Sequence, residues 1–400
     1  MEEKCLVANL CGGCDYQGIR YNAQIKLKEE KIKELFSKYV DVSPILGDDF
    51  YNHYRNKVQV SFGKDRNGDI LAGNYAKNSH FLVPIDSCQI CDERAIEIIN
   101  SVKRLIKKYH ISIYDERIKK GCMRHLLIRT STLNEIMLVL VTGSPFINKE
   151  KEFIHDILKY NPSVTTIIHN INREHTSMIL GNSNKVLYGK GYIVDELMGL
   201  KFKISASSFY QINHNQTVKL YSKAIEYADL KGNERLIDAF CGTGTIGLLM
   251  SKYAKEVIGV EINSAAIKDA NKNKEINNIK NINFICEDAG KYMQKLAHDK
   301  EKIDAVVMDP PRSGSSKEFL KSVAILKPNK VVYISCNPDT LLRDVQYLMK
   351  NDYKLIKIQP VDMFPYTSHV ESIALLCNNW LKSKNIIRKW WLFDESYSIL

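Results

Sequence analysis

The sequence predicts an α/β protein built on a doubly wound parallel sheet, preceded by an α+β domain and a cysteine-rich amino-terminal segment. Three observations predict this. From Glu234 onward, short apolar runs alternate with helix-like stretches, which is the pattern of βαβ units. The first run ends in a glycine-rich turn, Asp238-Ala239-Phe240-Cys241-Gly242-Thr243-Gly244, and later runs end in polar or reactive residues. Ahead of them, strand-like and helix-like runs mix without that regular alternation.

The strands of the sheet are expected at Arg235 to Phe240, Val257 to Val260, Ile282 to Ile285, Ile303 to Met308 and Val331 to Ile334. Two further runs, Lys354 to Val361 and Val370 to Leu376, read as a terminal hairpin. Ligands of doubly wound sheets bind at the carboxyl ends of the strands. Asp238, Glu261, Asp288, Asp309 and Cys336 all fall at such ends. In the preceding domain, strands are expected at Val58 to Phe62, His125 to Ser131, Ile136 to Thr142 and Val164 to Asn170, with helices near Arg94 to Lys108 and Lys149 to Tyr160. The lysine- and glutamate-rich run Lys26 to Tyr39 has helical spacing and reads as a solvated helix face. The expected divisions are 1–50 for the cysteine segment and its linking helix, 51–205 for the α+β domain, 206–380 for the catalytic sheet and 381–400 for an extension. No internal repeat is evident.

The glycine turn alone is ambiguous. Gly242, Gly244 and Gly247 satisfy G-x-G-x-x-G, and Glu261 follows at the distance of a ribose-binding acid, so a nicotinamide dehydrogenase fits equally well. The later motifs separate the readings. A dehydrogenase needs neither the strand-end Asp309-Pro310-Pro311-Arg312 nor the strand-end thiol of Ser335-Cys336-Asn337-Pro338. Methyl transfer to a planar base uses both, one to line the pocket beside the donor and one as nucleophile.

With Phe209-Tyr210-Gln211-Ile212-Asn213 and His369-Val370-Glu371 added, these motifs in this order resemble the uracil-5 RNA methyltransferases, over roughly residues 5 to 380. The resemblance implies a class I, Rossmann-like, S-adenosylmethionine-dependent methyltransferase domain. Carried over by position, it implies that Gln211, Phe240, Thr245, Glu261, Asp288 and Asp309 contact S-adenosylmethionine. Cys336 matches the nucleophile and Glu371 the base. The chemistry accounts for both residue types: uracil C5 is a poor nucleophile until a thiolate adds at C6, and the C5 proton must then leave to a carboxylate before the thiol is eliminated. An ordinary thiol is only a few per cent ionised at pH 7, so the helix start after Asn337-Pro338 and nearby cations are expected to lower the pKa of Cys336. His369 either positions a neighbour or caps a turn.

Cys5, Cys11 and Cys14 form C-x5-C-x2-C, and Cys88 and Cys91 lie far along the chain. Three close thiols and a distant one suit a four-thiolate site, for which spacing alone does not choose between zinc and [4Fe-4S]. The family resemblance implies the iron-sulfur cluster, with Cys88 as fourth ligand and Cys91 as its competitor. Cys122, Cys241, Cys286 and Cys377 read as packing residues. The amino end lacks the pattern of a signal peptide and no apolar run approaches the length of a membrane span, so a reducing cytoplasm is expected, with no membrane association and no obligate protein partner.

The net charge of +11 suits an RNA substrate. Arg55, Lys57, Lys119, Lys120, Arg124 and Arg129 are the candidate phosphate face. Uracil C5 and C6 are hidden in stacked RNA, so the target is an unpaired or flipped-out uridine in a loop. The resemblance places the substrate in 23S ribosomal RNA; tRNA, or cytosine-5 methylation of RNA, are the alternatives. Many relatives carry an oligonucleotide-binding β-barrel before the cysteine cluster, which here begins at residue 5. After Asn379 come Trp380, Lys382, Lys384, Arg388, Lys389, Trp390 and Trp391, a mixture able to stack on bases.

Overall fold

A computed structural model describes residues 5–174 and 178–378, which form two compact units. The first comprises 5–24, 48–218 and 364–368; the second comprises 25–47, 219–363 and 369–378. The division between domain and sheet thus falls at 218/219, where the sequence suggests 205/206, and residues 25–47 group with the catalytic sheet. The extension 381–400 lies outside the described residues.

Helix α1 (Tyr21–Phe36) leads into the strands and helices of the first unit: β1 (Lys57–Lys64), β2 (Ile70–Tyr75), β3 (Leu82–Pro84), α2 (Glu93–Lys108), β4 (Met123–Thr130), β5 (Ile136–Thr142), α3 (Glu150–Tyr160), β6 (Val164–Ile171), β7 (Ser183–Tyr188), β8 (Ile193–Leu197) and β9 (Leu200–Ile204). Seven strands pair in the order β3-β2-β1-β4-β5-β6-β7, while β8 and β9 form a hairpin of their own. Only β5 and β6 run parallel, joined through α3. Helix α2 is capped by Asp92, whose carboxylate accepts from the Arg94 N–H, and it buries Ile96, Ile99, Val102 and Ile106 in a core shared with Val58, Val60, Leu126, Ile128, Leu138 and Leu140.

The second unit continues with α4 (His214–Ala228), β10 (Arg235–Ala239), α5 (Thr245–Met250), β11 (Glu256–Glu261), α6 (Ser264–Ile276), β12 (Ile282–Cys286), α7 (Ala289–His298), β13 (Ala305–Met308), α8 (Lys317–Leu326), β14 (Lys330–Ser335), α9 (Pro338–Met349), β15 (Tyr353–Val361) and β16 (Glu371–Asn378). The sheet order is β12-β11-β10-β13-β14-β16-β15. Strands β10 to β14 are parallel and β16 is antiparallel to both neighbours. The order reverses between β10 and β13, which creates the crevice where such sheets bind ligands. The expected doubly wound sheet and terminal hairpin are both present.

Residues 25–36 of α1 are not merely a solvated face. Ile32 and Phe36 are fully buried in the core beneath this sheet. Lys28, in the same i, i+4 stripe, is also buried and ion-paired with the buried Asp362 that follows β15. A lysine within an apolar stripe disguises that stripe in the sequence, which is why the helix reads as exposed. Removing one member of a buried pair strands the other charge. Lys28→Met is therefore expected to cost about 3–5 kcal/mol in urea denaturation, and Lys28→Met with Asp362→Leu to recover most of it; an equal loss in both variants would show that packing, not charge, is at stake.

Candidate active site

The site is built on the carboxyl ends of the parallel strands. Strand β10 ends at Ala239, and Phe240 follows in the left-handed region with φ of 62°. Its ring centroid lies 5.4 Å from that of Phe319. Gly242 and Gly244 also have positive φ, and the turn then enters α5. Gly247 is required on steric grounds: a Cβ there would stand 2.6 Å from the Asp238 carboxylate. Asp238 in return accepts the Gly247 N–H at 2.8 Å, so the carboxylate holds the glycine turn against β10.

Glu261 ends β11 and joins the same turn, accepting the Gly242 N–H at 3.2 Å and the Asn263 N–H at 2.8 Å. On the next strand, Asp288 caps α7 by accepting the Lys291 N–H. Thr245 is buried at the start of α5, its hydroxyl 3.3 Å from that of Thr243. Phe240, Thr245, Glu261 and Asp288 therefore line one end of the rim. Gln211 belongs to the first unit, where its carbonyl accepts from the Asn56 side chain at 3.0 Å.

Asp309 follows β13 directly and donates its N–H to Ala239 at 3.4 Å. Burial pushes its carboxyl up to about 7. On the neighbouring strand, Cys336 follows Ser335. The antiparallel ladder ends with Ser335 opposite Ser372, so Cys336 and Glu371 are the next residues on either side of its end, and they stand close enough for their charges to interact. Glu371 is buried, and burial, reinforced by Asp309, holds its carboxyl well above the usual range.

The thiol of Cys336 is pushed up to about 11, first by burial and then by Glu371 and Asp309; Arg312 opposes them by its charge and a hydrogen bond to the sulfur. The expected lowering is outweighed, because the thiol is half-buried and two carboxylates brought in by other strands face it. Arg312 also lies 3.5 Å from His369 Nε2, which makes His369 a neighbour of the guanidinium. Asp238, which no motif assigns, is fully buried with its Oδ1 lacking a hydrogen-bond partner. Burial raises its carboxyl to about 8, helped by Asp309 and Glu261. Five carboxyl groups, Asp238, Glu261, Asp288, Asp309 and Glu371, thus share one rim, an arrangement suited to a ligand carrying positive charge.

Other candidates in the first unit fare differently. Arg124 and Arg129 are buried structural donors. Arg124 binds the carbonyls of Asn172 and Glu174 and the Glu116 carboxylate, and Arg129 binds the Ser208 carbonyl. They are withdrawn from the phosphate face because their strand positions point into the structure. Lys57 is half-buried, its pKa lowered to about 8 by burial and by Arg129 and Arg55. Lys119 and Lys120 are exposed. Of the cysteines read as packing, Cys122 and Cys241 are buried and Cys377 is half-buried, whereas Cys286 is exposed at the end of β12.

Cys5, Cys11, Cys14 and Cys88 lie close enough for their charges to interact. Cys14 is raised to about 11 by burial, and Cys88 lowered to about 6 chiefly by a hydrogen bond from Cys91. Cys91 itself is buried and raised. As the side chains stand, no group of three or more His, Cys, Asp or Glu among the described residues is arranged to hold a metal ion. No described helix is long and apolar enough to cross a membrane.

Comparison with known proteins agrees with this geometry. The family described as tRNA (Uracil-5-)-methyltransferase matches residues 20–379. A protein named as an uncharacterized RNA methyltransferase from Staphylococcus aureus (strain MSSA476) is 42% identical over 377 residues, covering 93% of this chain and 83% of that protein. Another so named, from Clostridium tetani, is 42% identical over 381 residues, covering 94% and 83%. The crystal structure of the Pyrococcus abyssi tRNA (uracil-54, C5)-methyltransferase with S-adenosyl-L-homocysteine superposes with a TM-score of 0.78, at 28% identity over 92% of this chain and 86% of that one.

The raised Asp238 carboxyl has a consequence for stability. The folded state keeps a proton that the unfolded chain releases near pH 4, so stability is full below that pH, falls as pH rises towards about 8, and is level above it. Asp238→Asn is expected to raise the melting temperature of the ligand-free protein by several degrees at pH 8 and hardly at all at pH 4.5. The same increment at both values would exclude the carboxyl as its source.

Proposed function

The chain belongs to the family of uracil-5 RNA methyltransferases, and we propose that it methylates C5 of a uridine in 23S ribosomal RNA, with Cys336 as nucleophile and Glu371 as base. One observation carries this reading: the β14–β16 ladder ends at Ser335 and Ser372, which leaves the Cys336 thiol and the buried Glu371 carboxyl close together at the ends of the strands. A nicotinamide enzyme has no use for that pair.

The residues present fit S-adenosylmethionine. Phe240, Thr245, Glu261, Asp288 and Asp309 would hold it, and the unpartnered buried oxygen of Asp238 marks the rim as short of hydrogen-bond donors. When bound, the donor supplies an electrophilic methyl on a cationic sulfonium. Cys336 adds through sulfur to uracil C6 and makes C5 nucleophilic. Once C5 carries the methyl, Glu371 takes the C5 proton and the sulfur leaves from C6. Burial opposes ionisation of both groups, and Arg312 is the cation that favours it in each.

Arg55, Lys57, Lys119 and Lys120 remain as phosphate contacts, and a cytoplasmic setting suits an RNA-modifying enzyme. The cysteine set favours ribosomal RNA, since the tRNA-modifying branch generally lacks it. The tRNA reading draws support from the name of the Pyrococcus abyssi relative. Mass-spectrometric mapping of 5-methyluridine in ribosomal and transfer RNA from a deletion strain separates them: loss from 23S RNA is expected, and loss confined to tRNA would transfer the assignment.

Cys336→Ala should abolish methylation while leaving donor binding nearly unchanged. Glu371→Gln keeps the shape but removes the base, so RNA should accumulate as a covalent adduct, seen as a retarded band in denaturing electrophoresis. Free methylated product from Glu371→Gln at the normal rate would assign proton removal to another group.

The four thiols Cys5, Cys11, Cys14 and Cys88 suit a [4Fe-4S] cluster by donor chemistry and their charges interact, but the side chains as they stand are not gathered to ligate a metal. Such a cluster would tie the amino-terminal residues to the first unit. Protein purified without oxygen should be brown, with about four irons per chain, and Cys88→Ser should lose them. Stoichiometric zinc and no visible absorption would overturn the cluster, while iron lost from Cys91→Ser but kept by Cys88→Ser would reassign the fourth ligand.

A further inference from the structure

Arg312 favours ionisation of the Cys336 thiol by its charge and by a hydrogen bond to the sulfur, so the placement of this guanidinium sets how readily the sulfur reacts. Arg312 stands on an irregular loop between β13 and α8, and an exposed arginine on a loop has many alternatives to pointing at a thiol. One face of α9 restricts it. The Arg312 carbonyl accepts from Asn337 Nδ2 at 3.0 Å and from Thr340 Oγ1 at 3.2 Å. Arg343 Nη2 donates to the carbonyls of Ser313 and Ser315 at 3.1 and 3.2 Å.

Asp344 lies beneath these contacts, almost completely buried. Its carboxylate accepts the Ser315 N–H at 2.8 Å, the Tyr333 hydroxyl at 2.7 Å and Arg343 Nε at 2.8 Å, so it ties the loop, strand β14 and helix α9 to one anchor. The fit leaves no slack. Gly314, at φ +77°, packs so closely that an added Cβ would stand 2.5 Å from Arg343 Nη2 and 2.8 Å from Asp344 Oδ2. Asn337, Thr340, Arg343 and Asp344 recur at helical spacing, so a single face of the helix that follows the nucleophile also grips the loop that carries its cation.

We propose that Asp344, with Arg343, is a positioning residue for the reaction: it locks the Arg312 loop onto α9 so that the guanidinium is held at the Cys336 sulfur. Asp344 is buried beneath the loop and acts through Arg312. The groups facing the sulfur are Arg312 from the loop, Asp309 after β13 and Glu371 at the start of β16, and Asp344 controls the first. The inference rests on Cys336 as the nucleophile, and its test needs neither methyl transfer nor RNA.

The rate of Cys336 alkylation by iodoacetamide is read in the full-length protein, between pH 7.5 and 10, by mass spectrometry of the peptide that contains it. Rate follows the thiolate fraction. Asp344→Asn is expected to slow alkylation at pH 8 about tenfold, as an upward shift of about one pH unit, and Arg343→Ala, at a half-exposed position, to slow it about threefold. Unfolding would expose the sulfur and speed the reaction, so loss of structure cannot imitate the result. In an Arg312→Ala background, Asp344→Asn should add nothing. An equal further slowing there, or an unchanged rate in a folded Asp344→Asn protein, would overturn the proposal. If Cys336→Ala still methylates RNA while these rates behave as described, the nucleophile assignment fails and the clamp stands.

Discussion

The pairing of β14 with β16 is the constraint on which the site depends. Because β16 runs antiparallel, its first residue meets the last residues of β14, and the register that places Ser335 against Ser372 brings Glu371 to Cys336. A one-residue slip would turn the carboxyl to the other side of the sheet. The register is held by continuous burial: Val331 to Ile334 and Ile373, Ala374 and Leu376 are all within the core. The ladder that stabilises the sheet therefore also sets where Cys336 and Glu371 stand.

The rest of the sheet distributes complementary tasks along that rim. Strands β10, β11 and β12 present the glycine turn, Glu261 and Asp288; β14 and β16 present the thiol and its carboxyl partner; Asp309 on β13 stands between them. The switch point between β10 and β13 separates the two halves. Asp309 influences both, appearing in the environments of Asp238 and of Glu371 and Cys336.

Much of this was legible in the sequence because parallel strands are buried on both faces and read as plain apolar runs. The catalytic strands, the glycine turn and the strand-end positions of Cys336 and Asp309 followed from that pattern. Other elements had no such signal. Strand β7 is mostly exposed, and the turn between β8 and β9 uses Met198 at φ 51° before Gly199, without the asparagine or aspartate that usually announces such a turn. Lys28 concealed the buried stripe of α1, and Arg124 and Arg129 looked like surface charges while serving as internal donors. The direction of the Cys336 shift was beyond any local reading, since Asp309 and Glu371 lie far from it in the chain.

The same shift explains why the site combines so many acids with one arginine. Burial holds the thiol near 11, protonated at neutral pH, and disfavours the ionised form of the Glu371 carboxyl. Lowering both requires positive charge. Arg312 supplies part of it permanently, and a cationic methyl donor in the proposed reaction brings more as it binds among Asp238, Glu261 and Asp309. Ionisation of the nucleophile and of its base would then rise together with occupancy of the donor site, so that the thiolate forms where an electrophile is present and remains a thiol where it is not. On this reading the high resting pKa of Cys336 is compatible with catalysis, because it suppresses attack by the sulfur on adventitious electrophiles until the donor-bound state is reached.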